Sequence, residues 1–105
     1  MPFASIDTAT SGDNTIVAAV PNRKIRVINY TAIATGAVAI RWKSGASTNL
    51  SGAMSLAANG GAAPSGSGQS PAGFIGLLET NNGDALVLNL GGAVQVSGHL
   101  TYQVI

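Results

Sequence analysis

The feature that most constrains this chain is an alternation of apolar and polar residues that returns along its length. In AVAIRWK (37–43), Val38, Ile40 and Trp42 share one parity while Ala39, Arg41 and Lys43 take the other. Successive side chains of an extended strand point to opposite faces, so this segment buries one side and turns the other to solvent or a partner. DALVLNL (84–90) repeats the pattern, with Leu86, Leu88 and Leu90 opposite Ala85, Val87 and Asn89. In VQVSGHLTYQVI (94–105), Val94, Val96, Leu100, Tyr102 and Val104 line up against Gln95, Ser97, His99, Thr101 and Gln103. The last strand runs to residue 105, which is therefore expected to lie in a sheet.

The remaining segments follow the same period between Gly, Asn, Pro and Ser punctuation. FASIDTAT (3–10) and NTIVAAV (14–20) read as short strands joined by the turn SGDN. After PNRK, the run KIRVINYTAIA keeps Ile25 and Val27 in phase and then shifts to Ile28 and Tyr30, which predicts a bulge near Asn29 or a strand buried on both faces. Thr35 and Gly36 suggest a hairpin turn into the Trp42 strand. AMSLA (53–57) is a weaker strand, GFIGLLET (73–80) a firmer one, and NNG (81–83) and GG (91–92) are turns. About eight strands at this spacing, with no helical period, predict one all-β domain over residues 1–105, an antiparallel sandwich or barrel.

Between the strands lies NGGAAPSGSGQSPAG (59–73), without a charge, an aromatic or a β-branched side chain. Nothing in it buries enough apolar surface to offset the entropy of ordering it, so residues 58–73 are expected to be a long loop. As a flexible coil it would span about 21 Å, enough to cross one end of a sandwich. Its polar residues Asn59, Ser65, Ser67 and Gln69 are candidate partner contacts.

Chemistry-bearing residues are few. His99 is the single histidine, with no neighbour along the chain to orient it, and four scattered acids leave little material for a metal site or an acid–base pair. TNNGDA lacks the further oxygen ligands and closing Glu of a calcium loop. GGAAPSGSG and NLGGAVQV lack the Lys, the Ser or Thr and the following helix of a phosphate loop. No enzyme, cofactor or metal is expected. Trp42 alternates with core residues, so it reads as packing rather than a sugar platform.

With five Lys or Arg against four Asp or Glu, the chain has no electrostatic footprint for nucleic acid or an anionic membrane. Arg23, Lys24 and Arg26, with Arg41 and Lys43 on a strand expected to pair with theirs, form the one cationic cluster and a candidate contact for an acidic protein patch. No apolar run approaches the about 18 residues that cross a bilayer, and no conventional export signal is expected at the start. The apolar 46% is mostly Ala and Val, a thin core that self-association would supplement.

The runs NTIVAAVPNRKIRVINYTAIATGAVAIRWKSG, SLAANGG and FIGLLETNNGDALVLNLGGAVQVSGHLTYQVI together resemble small β-sandwich virion proteins of tailed bacteriophages, among them capsid cement (decoration) proteins and parts of tails or fibres. The resemblance covers nearly everything from residue 12 onward and carries no site motif. It implies a jelly-roll-like sandwich, a homotrimer, bound to the major capsid protein on the capsid exterior after synthesis in the host cytoplasm. It also implies that residues 1–12 can act as an arm between subunits. The alternative is a receptor-binding or adhesin module of a tail or head fibre that recognises host glycan.

Overall fold

The computed structural model describes residues 2–63, 69–70, 73–74 and 77–105. In chain order its strands are β1 (Phe3–Thr8), β2 (Gly12–Val17), β3 (Ile25–Ala34), β4 (Val38–Ser44), β5 (Thr48–Asn49) and β6 (Met54–Leu56). There follow β7 (Gly61–Ala62), β8 (Gln69–Ser70), β9 (Gly73–Phe74), β10 (Leu78–Glu79), β11 (Leu86–Leu90) and β12 (Val96–Val104). All pairings are antiparallel, and no helix occurs among the described residues.

Two sheets pack face to face around one core. The first has the order β1-β12-β3, with β7 and β10 sharing the outer side of β3 beside Ala32–Ile33 and Arg26–Val27. The second runs β2-β11-β4, with β6 and β5 sharing the outer side of β4. Three long strands and one broken edge per sheet make the expected eight strand positions. Among the described residues, β8 and β9 pair only with each other.

Alternation decided which side chains went inside. Val38, Ile40 and Trp42 of β4, Leu86, Leu88 and Leu90 of β11, and Val96 and Leu100 of β12 are all buried. In β3 the phase change is a bulge: Thr101 pairs with Asn29 and Tyr102 with Val27, so Ile28 is the extra residue. Ile25 and Val27 face the core before it, and Tyr30, Ala32 and Ala34 after it. Lys24 and Ile105 exchange backbone bonds of 2.9 and 3.0 Å, which ties the last residue into the first sheet.

The hairpin expected at Thr35–Gly36 is not one, and the turn SGDN does not form one either. β1 and β2 lie in different sheets, and so do β3 and β4. Both sides of β3 are already occupied, and the core is made by setting the apolar faces of β3 and β4 against each other: the Tyr30 and Trp42 rings meet edge-on at 5.1 Å. At the corner Thr35 N donates to Gln95 O at 3.0 Å, so the chain turns between layers instead of back along its own sheet. The first corner is held by Asn14, whose amide donates to Thr10 O and Gly12 O at 2.8 and 3.0 Å while its Oδ1 accepts from Thr8 at 2.5 Å.

The Gly-rich stretch is not one free loop. Gly61–Ala62 lies against β3, where a Cβ on Gly61 would stand 2.4 Å from Ala32 O, so close backbone approach accounts for a small residue there. Of the expected strand 73–80, Gly73–Phe74 is β9, paired with β8, and Leu78–Glu79 is β10, paired with β3; Ile75 and Gly76, and residues 64–68 and 71–72, lie outside the described residues. Ser44 and Thr80, the two buried polar side chains among the described residues, are partnered: Ser44 donates to Asp84 at 2.8 Å and accepts from Asn81 N at 2.8 Å, and Thr80 accepts from Ile25 N at 2.9 Å.

Candidate contact surface

With the apolar parities buried, the opposite parities build two outer faces of different chemistry. On the first sheet the register sets Asp7, Ser97 and Ile33 in one row, Ser5, His99 and Thr31 in the next, and Phe3, Thr101 and Asn29 in a third. A last row adds Gln103, Arg26 and Glu79. Its charges lie at the margins: Asp7 accepts from Gln95 at 2.6 Å, and Arg26 donates twice to Glu79 Oε1, at 3.1 and 3.0 Å. Ser5, Thr31, Thr101 and Asn29 surround His99 in the middle, with no Asp, Glu, Lys or Arg among them. Among the described residues the two exposed large apolar side chains, Phe3 (78% exposed) and Ile33 (47%), both belong to this face.

The second sheet's outer face is charged and internally bonded. Lys43 Nζ reaches across β11 to Asp13 at 3.1 and 3.2 Å, and Asn89 on β11 donates to the same carboxylate at 2.7 Å. The Asn89 amide and then the Lys43 ammonium hold the Asp13 carboxyl below its ordinary 3.8. Arg41 is half-buried beside Asn89, its Nε without a hydrogen-bond partner among the described residues.

The structure does not gather the cationic cluster. β4, carrying Arg41 and Lys43, pairs with β11, β5 and β6 and not with β3, because the two strands form opposing layers of the core. Arg23 is exposed in the turn before β3, Lys24 approaches Glu79 at 3.6 Å, and Arg26 is engaged by Glu79. Asn59 is exposed with a φ of 61°, Gln69 pairs with Phe74 in the β8–β9 strand pair, and Ser65 and Ser67 lie outside the described residues. Residues 3–8, expected as part of a possible arm, form the outer strand of the chain's own first sheet.

His99 stands exposed with Ser5 and Thr31, not an acid, on either side in the sheet. Among the described residues no group of three or more His, Asp or Glu could hold a metal ion. Sequence reasoning saw the polar parity of the last strand but missed Phe3, Ser5, Thr31 and Ile33 as its neighbours. Period 2 tells which residues share a face within one strand, while the flanking strands come from pairings across the whole chain.

Fold and surface define an antiparallel β-sandwich with one charged outer face and one neutral one. Compared with known proteins, the chain matches no family model, no curated protein and no solved structure.

Proposed function

We propose that this chain is a non-enzymatic structural protein of a tailed-phage virion, a cement protein that binds the major capsid protein lattice and strengthens the shell. The neutral outer face of the first sheet carries this reading. Its central rows carry no Asp, Glu, Lys or Arg to desolvate on contact, and Phe3 and Ile33 add apolar area where a partner would cover it. The resemblance in the sequence agrees. So does the strand order, β1-β12-β3-edge over β2-β11-β4-edge, which we read as a jelly roll, a double-sheet form used in viral capsid and lectin domains.

Mass-spectrometric counting of the protein in purified virions tests the assignment. On the order of hundreds of copies per particle is the expected result for a shell protein with symmetric contacts. A handful of copies would overturn it. The face is tested separately: His99→Glu, in the centre of the neutral face, should reduce binding to capsids at least about tenfold, and Ser55→Glu on the other sheet should leave it unchanged. The second reading, a glycan-binding adhesin, draws on the exposed Phe3 as a stacking ring. Glycan-array binding that Phe3→Ala abolishes would favour it.

A further inference from the structure

The geometry of β1 points to a self-association site: we infer that two copies pair antiparallel through this strand, about a two-fold axis at Ser5, and join their first sheets into one. β1 is the outer strand of its sheet, and nothing among the described residues pairs with its far side. Tyr102 N donates to Pro2 O at 3.0 Å, and Phe3 lies opposite Thr101. Antiparallel ladders alternate, so Ala4, Ile6 and Thr8 bond to β12 while Phe3, Ser5 and Asp7 turn three N–H and three C=O groups to the open edge.

Edges of this kind are usually blunted by Lys, Pro, bulges or shortness. The opposite edge of the same sheet follows that rule, being broken into the two-residue strands β7 and β10. β1 does not: FASIDT is continuous over six residues, with Asp7 its only charge and no proline.

The sequence of β1 is complementary to itself in one register. Centred on Ser5, antiparallel pairing sets Ser5 opposite Ser5 of the second copy and Phe3 opposite its Asp7, and every outward N–H and C=O of both copies finds a partner. Ala4 then meets Ile6 of the second copy on the inner side, so the apolar layer continues across the seam. No like charges face each other. A slip of one residue would turn the apolar side outward, and a slip of two leaves bonds unmade. In this register the exposed Phe3 gains Asp7 of the second copy as its neighbour across the seam, on the outer face.

Size decides how strong the contact is. A strand of six residues is about 20 Å long at ~3.3 Å each, and the molecule is 21 Å across its shortest dimension. That bounds the seam at about 400 Å² per copy, at most half of the roughly 800 Å² of a standard interface. The dimer is therefore weak and exchanging, with a dissociation constant above about 10 μM, and becomes dominant where copies are concentrated side by side. It deepens the contact-protein reading, yet it is tested on pure protein, so its failure leaves capsid binding standing.

The chain has no cysteine, which makes a single introduced thiol an unambiguous reporter. Hydrogen-bonded antiparallel partners have Cα atoms about 5.5 Å apart, within reach of a disulfide. Under mild oxidation Ser5→Cys should become a disulfide dimer at least about tenfold faster than His99→Cys, one strand further in on the same face. Sedimentation of the unmodified protein should show a monomer–dimer equilibrium that Ser5→Pro abolishes, because the Ser5 N–H serves no bond within its own sheet. If Ser5→Pro fails to fold, the two thiol variants still decide. Equal oxidation rates, a trimer, or a monomer up to about 1 mM would each overturn the inference.

Discussion

Two residues show how tightly single positions are held. A Cβ on Gly98 would stand 1.8 Å from Thr31 O and 2.7 Å from Thr31 C, which are backbone atoms of the neighbouring strand and cannot rotate away. Gly98→Ala should therefore prise β12 from β3 and cost about 3 kcal/mol or more, whereas Gly92→Ala, with nothing within 4 Å of its Cβ, should fall within about 0.5 kcal/mol of the parent. Urea unfolding of the two variants checks the contrast. Trp42 presents the opposite case, a fully buried ring whose Nε1 has no hydrogen-bond partner among the described residues. Phenylalanine removes that unsatisfied donor, worth about 1–3 kcal/mol, while losing volume of similar cost, so Trp42→Phe should change stability by no more than about 1 kcal/mol. Trp42→Ala should cost about 3–5 kcal/mol in the same measurement, since nothing then fills the space beside Tyr30.

Between strands, the Asp13 network ties β2 to β11 and β4 through one carboxylate. Its folded-state pKa lies below the ordinary 3.8, so the charged form is the one folding favours. The stabilisation is thus fully present above pH 3.8 and fades as pH falls through the lower folded-state value. Asp13 is more than a third exposed, so screening keeps the contribution below about 1 kcal/mol. Asp13→Asn should lower stability at pH 6 by that small amount, and the gap from the parent should close in acid unfolding curves as pH drops below 3.8. A gap of constant size down to pH 2 would remove the carboxylate's charge from the explanation. Sequence reasoning could foresee the members of such a network but not their meeting. Parity put Lys43 and Asn89 on outward faces, and a strand is local enough for that. Thr35 and Gly36 likewise suggest a hairpin, but turn chemistry says that the chain bends and not whether it stays in its sheet. The switch to the other layer follows from burial: β3 and β4 each carry an apolar face, and opposing layers hide both. The expected union of Arg41 and Lys43 with Arg23, Lys24 and Arg26 failed for the same reason. The neutral face escaped notice because it is assembled from β1, β3 and β12, strands from both ends and the first third of the chain.

At the scale of the molecule, the order of strands sets the order in which they can form. β1 closes against β12, nearly the whole chain away, so the entropy of that closure must be met before any contact of β1 contributes. β2 against β11 and β4 against β11 span shorter stretches, and β4 pairs with β5 and β6 locally. β1 also adds little to the core, with Ile6 its only fully buried side chain. Folding should therefore build the layers around β3, β4, β11 and β12 first and add β1 last. Ile6→Ala is expected to cost about 2–4 kcal/mol, with nearly all of the loss appearing as faster unfolding and the refolding rate almost unchanged. Leu88→Ala, at the centre of the second sheet with Asn14 on one side and Trp42 on the other, should instead slow refolding clearly. Stopped-flow chevrons of the two variants measure the partition. Refolding slowed equally by both would show that β1 joins in the rate-limiting step. The late arrival of β1 bears on function, because a strand outside the folding nucleus is also among the first to open locally in the native state. The strand whose edge we assign to pairing with a second copy is then also the one most easily adjusted to it, and hydrogen exchange should find its amides the fastest of the six long strands, with those of Ser5 and Asp7 slowing as protein concentration rises.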